Sequence, residues 1–181
     1  AWASMEGAFY GCNNLTYTAT DAPNLAGVTT MARMFSDATS FNGDLSSWIT
    51  NSITNMSYMF NGASAFNGNV TTWNVGNVTD MSFMFNGATI FNQDLIGWGV
   101  IQVANFEEMF HSAKAFNGNI TSWNVSNATN MAGMFYDAAA FNRSLTWNVG
   151  IVSNMSNMFR DAVLFNGDIS SWNVSNATNM A

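Results

Sequence analysis

The sequence predicts an α/β repeat solenoid: a right-handed, leucine-rich-repeat-like coil with one short helix and one short strand in each unit of about 25 residues. Three observations carry that expectation. Tryptophan recurs at Trp48, Trp73, Trp98, Trp123, Trp147 and Trp172, spaced 25, 25, 25, 24 and 25 residues apart. A Phe-Asn pair keeps step with it at Phe41-Asn42, Phe66-Asn67, Phe91-Asn92, Phe116-Asn117, Phe141-Asn142 and Phe165-Asn166. Ahead of each pair stands Met-x-x-Met-Phe-x-x-Ala, as in Met56, Met59, Phe60 and Ala63. A unit this small cannot bury its apolar face alone, so neighbouring units must stack.

Within one unit, Met81, Met84, Phe85 and Ala88 fall at i, i+3, i+4 and i+7, the stripe of a two-turn amphipathic helix. Asn77, Thr79 and Asp80 offer oxygen acceptors to its first amides, and Gly87 can end it. Two turns are marginal in water, so such a helix must be held by its neighbours. The Trp-x-Val pairs Trp73/Val75, Trp123/Val125 and Trp172/Val174 alternate with period two and predict the strand. Gly43, Gly68, Gly118 and Gly167 mark one turn, and Gly76-Asn77 or Ser126-Asn127 a second. Stacking then brings like residues together. The Phe residues of the Phe-Asn pairs form an interior column, and Asn42, Asn67, Asn92, Asn117, Asn142 and Asn166 form a structural ladder whose buried amides bond to adjacent coils.

Residues 1–181 therefore form a single domain of about seven repeats, an atypical first one over 1–30 and regular ones over 31–181, expected to belong to a longer chain or assembly. Apolar residues make up 48% of the chain, ample for a continuous core. Charged residues make up only 8%, with a net charge of −7, and Arg33, Lys114, Arg143 and Arg160 are too scattered to track a phosphate backbone, which excludes nucleic acid as a partner. No apolar run approaches the ~20 residues that span a bilayer, so no membrane insertion is expected. Cys12 aligns with Ala38, Ala63, Ala88 and Ala113 and is expected to be a buried, inert thiol.

These residues together resemble the bacterial-surface-protein (BspA-like) repeat family, a divergent relative of the leucine-rich repeats. Residues 73–95 and 123–145 carry the pattern almost in full, while Ala8-Phe9 to Leu15 is closer to the leucine-rich repeats themselves. The resemblance implies a secreted or surface-displayed protein with adhesive or recognition roles. It names no ligand.

No catalytic constellation stands out, and neither a cofactor nor a metal is expected. His111 is the only histidine, at a variable position expected to face solvent. Asp44, Asp94 and Asp168 share one repeat position on alternate coils, which sets them too far apart for a retaining carboxylate pair. Among the Asn-x-Ser/Thr triplets, Asn69, Asn119, Asn77, Asn127 and Asn176 sit in turns and are the glycosylation candidates if the chain is secreted by a eukaryotic cell. Thr and Ser pairs before Trp form a row of the kind an ice-binding face needs, but Ile96-Gly97 and the short 145–147 stretch interrupt it.

The functional expectation is a non-enzymatic extracellular or cell-surface structural or adhesive protein. It self-associates through its ends, which present apolar surface and unpaired edges, and builds filaments. The alternative is a recognition domain that binds a peptide or glycan of the cell surface or matrix on one lateral face. The off-pattern Tyr58 and Phe83, at one repeat position, are candidates for an exposed patch on that face.

Overall fold

The computed structural model describes residues 2–19 and 21–180. Seven parallel bridges join one residue per repeat to its counterpart in the next: Ser4 to Thr30, then on through Asn55, Asp80, Asn105, Asn130, Asn154 and Asn179. They divide the chain into coils at 5–30, 31–55, 56–80, 81–105, 106–130, 131–154 and 155–179, each lying on the one before.

The α/β expectation is overturned. Among the described residues there is no helix, and strand-type bridging between coils is limited to those isolated bridges, so no unit contains the predicted helix or strand. The reason lies in the backbone hydrogen bonds. From Met81 to Ala88 every amide is bonded, but in two alternating directions. Met81, Phe83, Phe85 and Gly87 donate to the carbonyls of Asn105, Glu107, Met109 and His111 in the next coil. Met84, Asn86 and Ala88 donate three residues back within their own coil, and Ser82 donates to the Asp80 carboxylate. This pattern requires left-handed backbone at two places, Phe83 (φ 58°) and Gly87 (φ 69°), where an α-helix cannot continue. An isolated two-turn helix would leave its terminal groups unpaired. The lattice of turns and cross-coil bonds leaves no amide of this stretch unpaired, and so it wins.

The inward stripe survives the change of secondary structure. Met81, Met84, Phe85 and Ala88 are all fully buried, because successive tight turns bring them to one side as a helix would. Two columns of phenylalanine run through the core. Phe35, Phe60, Phe85, Phe110, Phe135 and Phe159 stack at 5.5–5.7 Å. Phe41, Phe66, Phe91, Phe116, Phe141 and Phe165 stack at 5.7–6.0 Å beside them. The columns touch at 3.9–4.1 Å within each coil, as in Phe35–Phe41 and Phe85–Phe91. A third column, Trp73, Trp98, Trp123, Trp147 and Trp172, stacks at 6.1–6.4 Å.

Each buried indole needs an acceptor. Trp73, Trp98, Trp123, Trp147 and Trp172 each donate Nε1–H to the carbonyl of Leu45, Val70, Leu95, Ile120 or Leu145 in the preceding coil. Trp48 instead donates to the Tyr17 hydroxyl at 3.2 Å. Tyr17 thereby closes the start of the Trp column, and its ring meets Phe41 edge-on. The Trp-x-Val segment alternates buried and exposed, as at Trp73, Asn74 and Val75, but without a strand ladder. Its amides turn back on their own coil, Trp73 to Val70 and Val78 to Val75.

Cys12 also departs from expectation: it is exposed. Ala38, Ala63, Ala88 and Ala113 are sealed between two neighbouring coils, whereas Cys12 lies in the first coil and is covered from one side only.

Candidate functional site

The interior is given over to packing, so function rests with the outer edges of the stack. The Phe-Asn edge carries a hydrogen-bonded column. The Oδ1 of Asn42, Asn67, Asn92, Asn117 and Asn142 each accepts the backbone N–H of the Asn one coil on, ending at Asn166, at 2.8–3.1 Å. These side chains lie exposed or half-exposed on the surface, not in the interior. A side-chain oxygen here fills the gap between coils that a backbone carbonyl fills elsewhere.

The glycosylation candidates separate into two kinds. Asn77, Asn127 and Asn176 are exposed, but each donates its amide Nδ2 to a carbonyl of the preceding coil, Asn51, Ile101 and Gly150. Asn69 and Asn119 are half-buried, and their Oδ1 accepts both the amide and the hydroxyl of Thr71 and Thr121. In the Thr/Ser row, Thr72 and Ser122 donate their hydroxyls to the carbonyls of Ser46 and Ile96, so those hydroxyls serve coil-to-coil bonding.

On the same edge, Asp44 and Asp168 accept the backbone N–H and hydroxyl of Ser46 and Ser170, with the amides at 2.9 and 2.8 Å. These bonds favour the carboxylate form and hold both groups below the usual range. A depressed folded pKa contributes stability above the unfolded value and loses it as pH falls through the folded one. Titration followed by NMR should therefore give midpoints for both below about 3.9, the ordinary Asp value. The stability these two groups contribute should begin to decline as pH falls through that ordinary value, at which the unfolded chain takes up protons, and be fully lost below their folded midpoints. Midpoints at or above the ordinary value would contradict these bonds.

The edge formed by the tight turns differs from the rest, because its residues change from coil to coil. One slot holds Gly7, Arg33, Tyr58, Phe83, Glu108, Gly133 and Asn157 in turn, all with positive φ between 48° and 59°. Four residues on, a second left-handed slot holds Gly11, Asp37, Gly62, Gly87, Ser112, Asp137 and Asp161. Between them lie Tyr10, Ser36, Asn61, Asn86, His111, Tyr136 and Arg160. For a bulky residue, left-handed backbone costs about 1–3 kcal/mol relative to glycine. This strip nevertheless carries tyrosine, phenylalanine, arginine and glutamate there.

Tyr58 and Phe83 do come together, stacked at 4.5 Å and half-buried, with the Arg33 guanidinium 4.8 Å above Tyr58. His111 is half-buried, its Nδ1 2.7 Å from Glu108 Oε2 and its ring 4.4 Å from Tyr136. Arg160 lies over the other side of Tyr136 at 5.3 Å. The repeat pattern puts Tyr58 and Phe83 at one position and His111 at a variable one, but does not show that the strip is built on left-handed backbone. The available signal for that backbone was the Gly and Asp content of the second slot, residues that tolerate positive φ.

Among the described residues, no group of His, Cys, Asp and Glu is placed to hold a metal ion, and no helix is long and apolar enough to cross a membrane. At one end of the stack, Met158, Phe159, Ile169, Trp172 and Val174 line an open apolar hollow of about 610 Å³. At the other, Phe9, Leu15, Tyr17 and Trp48 line one of about 270 Å³.

A family model described as "Mycoplasma protein of unknown function, DUF285" matches residues 3–119 and again 95–181. The two matches overlap within the repeats and together span nearly the whole chain. No curated protein and no solved structure matches.

Proposed function

We infer that this chain, which belongs to the family described as "Mycoplasma protein of unknown function, DUF285", is an extracellular, non-enzymatic solenoid that serves as a structural or adhesive body. The observation that carries the reading is one hydrophobic cluster running without a break from Leu25 to Met158. A chain most of whose aromatic residues serve a single continuous core is built to be a rigid body with long edges, and adhesion and scaffolding are done by edges. The resemblance to bacterial-surface-protein repeats points the same way.

We propose with it that copies assemble end to end, coil on coil, through the kind of backbone bond that joins neighbouring coils within the chain. Electron microscopy of the native material, with light scattering, tests this: filaments or elongating rods are expected. Monodisperse short rods at high concentration would remove the assembly. Failure of a membrane-impermeant reagent to label the protein on intact source cells would remove the surface location.

A second reading, recognition of a peptide or glycan on a lateral face, is favoured by the strip of left-handed residues. Side chains retained there in spite of backbone strain need a reason other than packing.

A further inference from the structure

We propose that the notch at Gly133 on this strip is a peptide-binding site, which admits one basic side chain of an extended segment and pairs an acidic one beside it; the proposal rests on the recognition reading. Gly133 interrupts a slot filled by Tyr58, Phe83, Glu108 and Asn157 in other coils, and it lines a hollow of about 240 Å³ with the Glu108 side chain leaning over it, Cγ 2.9 Å from where a Gly133 Cβ would stand. Glu107 and Glu108 of the coil before it form one wall, Arg160 of the coil after it the other, and Tyr136 lies between.

The carboxylate wall is held by hydrogen bonds, the Arg160 wall by weaker contacts, and neither is saturated. Glu108 Oε2 accepts Asn86 Nδ2 at 3.0 Å and lies 2.7 Å from His111 Nδ1, while Glu107 Oε2 accepts Asn130 Nδ2 at 3.1 Å. That leaves Oε1 of both carboxylates without a donor among the described residues. Arg160 is held by its position over Tyr136 and a 3.7 Å ion pair from Nε to Asp161, with its terminal nitrogens free of acceptors among those residues. Carboxylate oxygens on one wall and guanidinium nitrogens two coils away match a ligand that carries both charges. At roughly 4.8 Å per coil the walls are about 10 Å apart, the span of about three residues of extended peptide.

A glycan fits less well, since sugars bind across open aromatic faces. Tyr58 is covered by Arg33 on one side and Phe83 on the other, and Tyr136 is flanked by His111 and Arg160. The net charge of −7 also favours a partner with a basic side chain.

The test uses fluorescence anisotropy with labelled decapeptides of Gly and Ser that carry one Lys and one Asp two to four residues apart. Control peptides carry two Lys or two Asp, and a chitin oligosaccharide serves as the glycan probe. Selective binding of the Lys/Asp peptides, weakening as salt rises, is expected. Gly133→Tyr should reduce it at least tenfold, and Glu108→Gln should weaken it. Tyrosine already occupies this backbone state at Tyr58, but the added Cβ would lie 2.9 Å from Glu108 Cγ on left-handed backbone, so a somewhat lower thermal transition is expected and binding is compared where both proteins are folded. Should Gly133→Tyr fail to fold, Gly133→Asn decides, because Asn157 fills the same slot. No selectivity among the peptides, binding indifferent to filling the notch, or chitin bound there instead would each overturn the proposal. Attachment to source cells by wild type and Gly133→Tyr alike would sink the notch as the adhesive site and leave the adhesive reading standing. Wild type that attaches to nothing would sink that reading too.

Discussion

Replacing Phe91 by alanine is expected to cost about 3–5 kcal/mol, read as a lowered midpoint in urea unfolding. Phe91 is fully buried, lies 3.9 Å from Phe85 in its own coil, and stacks at 5.9 Å on both Phe66 and Phe116. The substitution removes a ring from the middle of a column and leaves three others facing a void. In a stack where each coil touches only its neighbours, it should also weaken coupling between the two halves and broaden the transition. Phe165→Ala is the comparison. Phe165 is only half-buried and is stacked along its column by Phe141 alone, so the same chemical change should cost clearly less. Equal losses at the two sites would mean that the column is not what holds the coils together.

The second large effect is steric. Along the edge that follows each Phe-Asn pair, one slot holds Gly43, Gly68, Gln93, Gly118, Arg143 and Gly167. No two side chains follow one another in it. Gln93 and Arg143 reach back to the carbonyls of Asn67 and Asn117, across the space beside the preceding glycine. A Cβ on Gly118 would lie 2.1 Å from the Gln93 carbonyl oxygen, a backbone atom that can yield only if the coils separate. Gly118→Ala should therefore cost about 3 kcal/mol, the upper end for overpacking. Gly99→Ala serves as control, since nothing lies within 4 Å of its added Cβ and its φ is not positive. That change should be neutral, or stabilising by about 0.4–1 kcal/mol through the unfolded chain. Thermal or urea denaturation of the pair checks both, and a neutral Gly118→Ala would show that the coils are spaced more loosely than described.

The sequence made the repeat itself plain, because burial is a property of side chains and side chains carry the period. Phe66, Trp73 and Val75 point inward as their spacing implied, and Asp80 supplies the acceptor expected of it, to the amide of Ser82. What the pattern could not distinguish was how the backbone delivers Met81, Met84, Phe85 and Ala88 to one side. A helix and a run of tight turns both do so. The difference lies in φ at Phe83, a residue whose identity gives no hint of left-handed backbone. The strand expectation failed for a related reason. Alternation at Trp73 and Val75 reports which side is buried, while the cross-coil backbone bonds run through other residues, Met81 to Gly87 among them. On the turn edge nothing in the sequence marked the notch, because Gly133 is an absence in a slot that, Gly7 apart, carries side chains in the other coils.

The central claim is that coils are joined by backbone bonds between repeats where a helix would bond within one, and Phe85 reports on it directly. Its amide donates to the Met109 carbonyl at 2.9 Å, twenty-four residues ahead, whereas an α-helix would send it to Met81. Trans-hydrogen-bond scalar coupling in a nitrogen- and carbon-labelled sample identifies the acceptor. A cross-peak from Phe85 nitrogen to the Met109 carbonyl carbon is the predicted result. A cross-peak to Met81 would contradict the account.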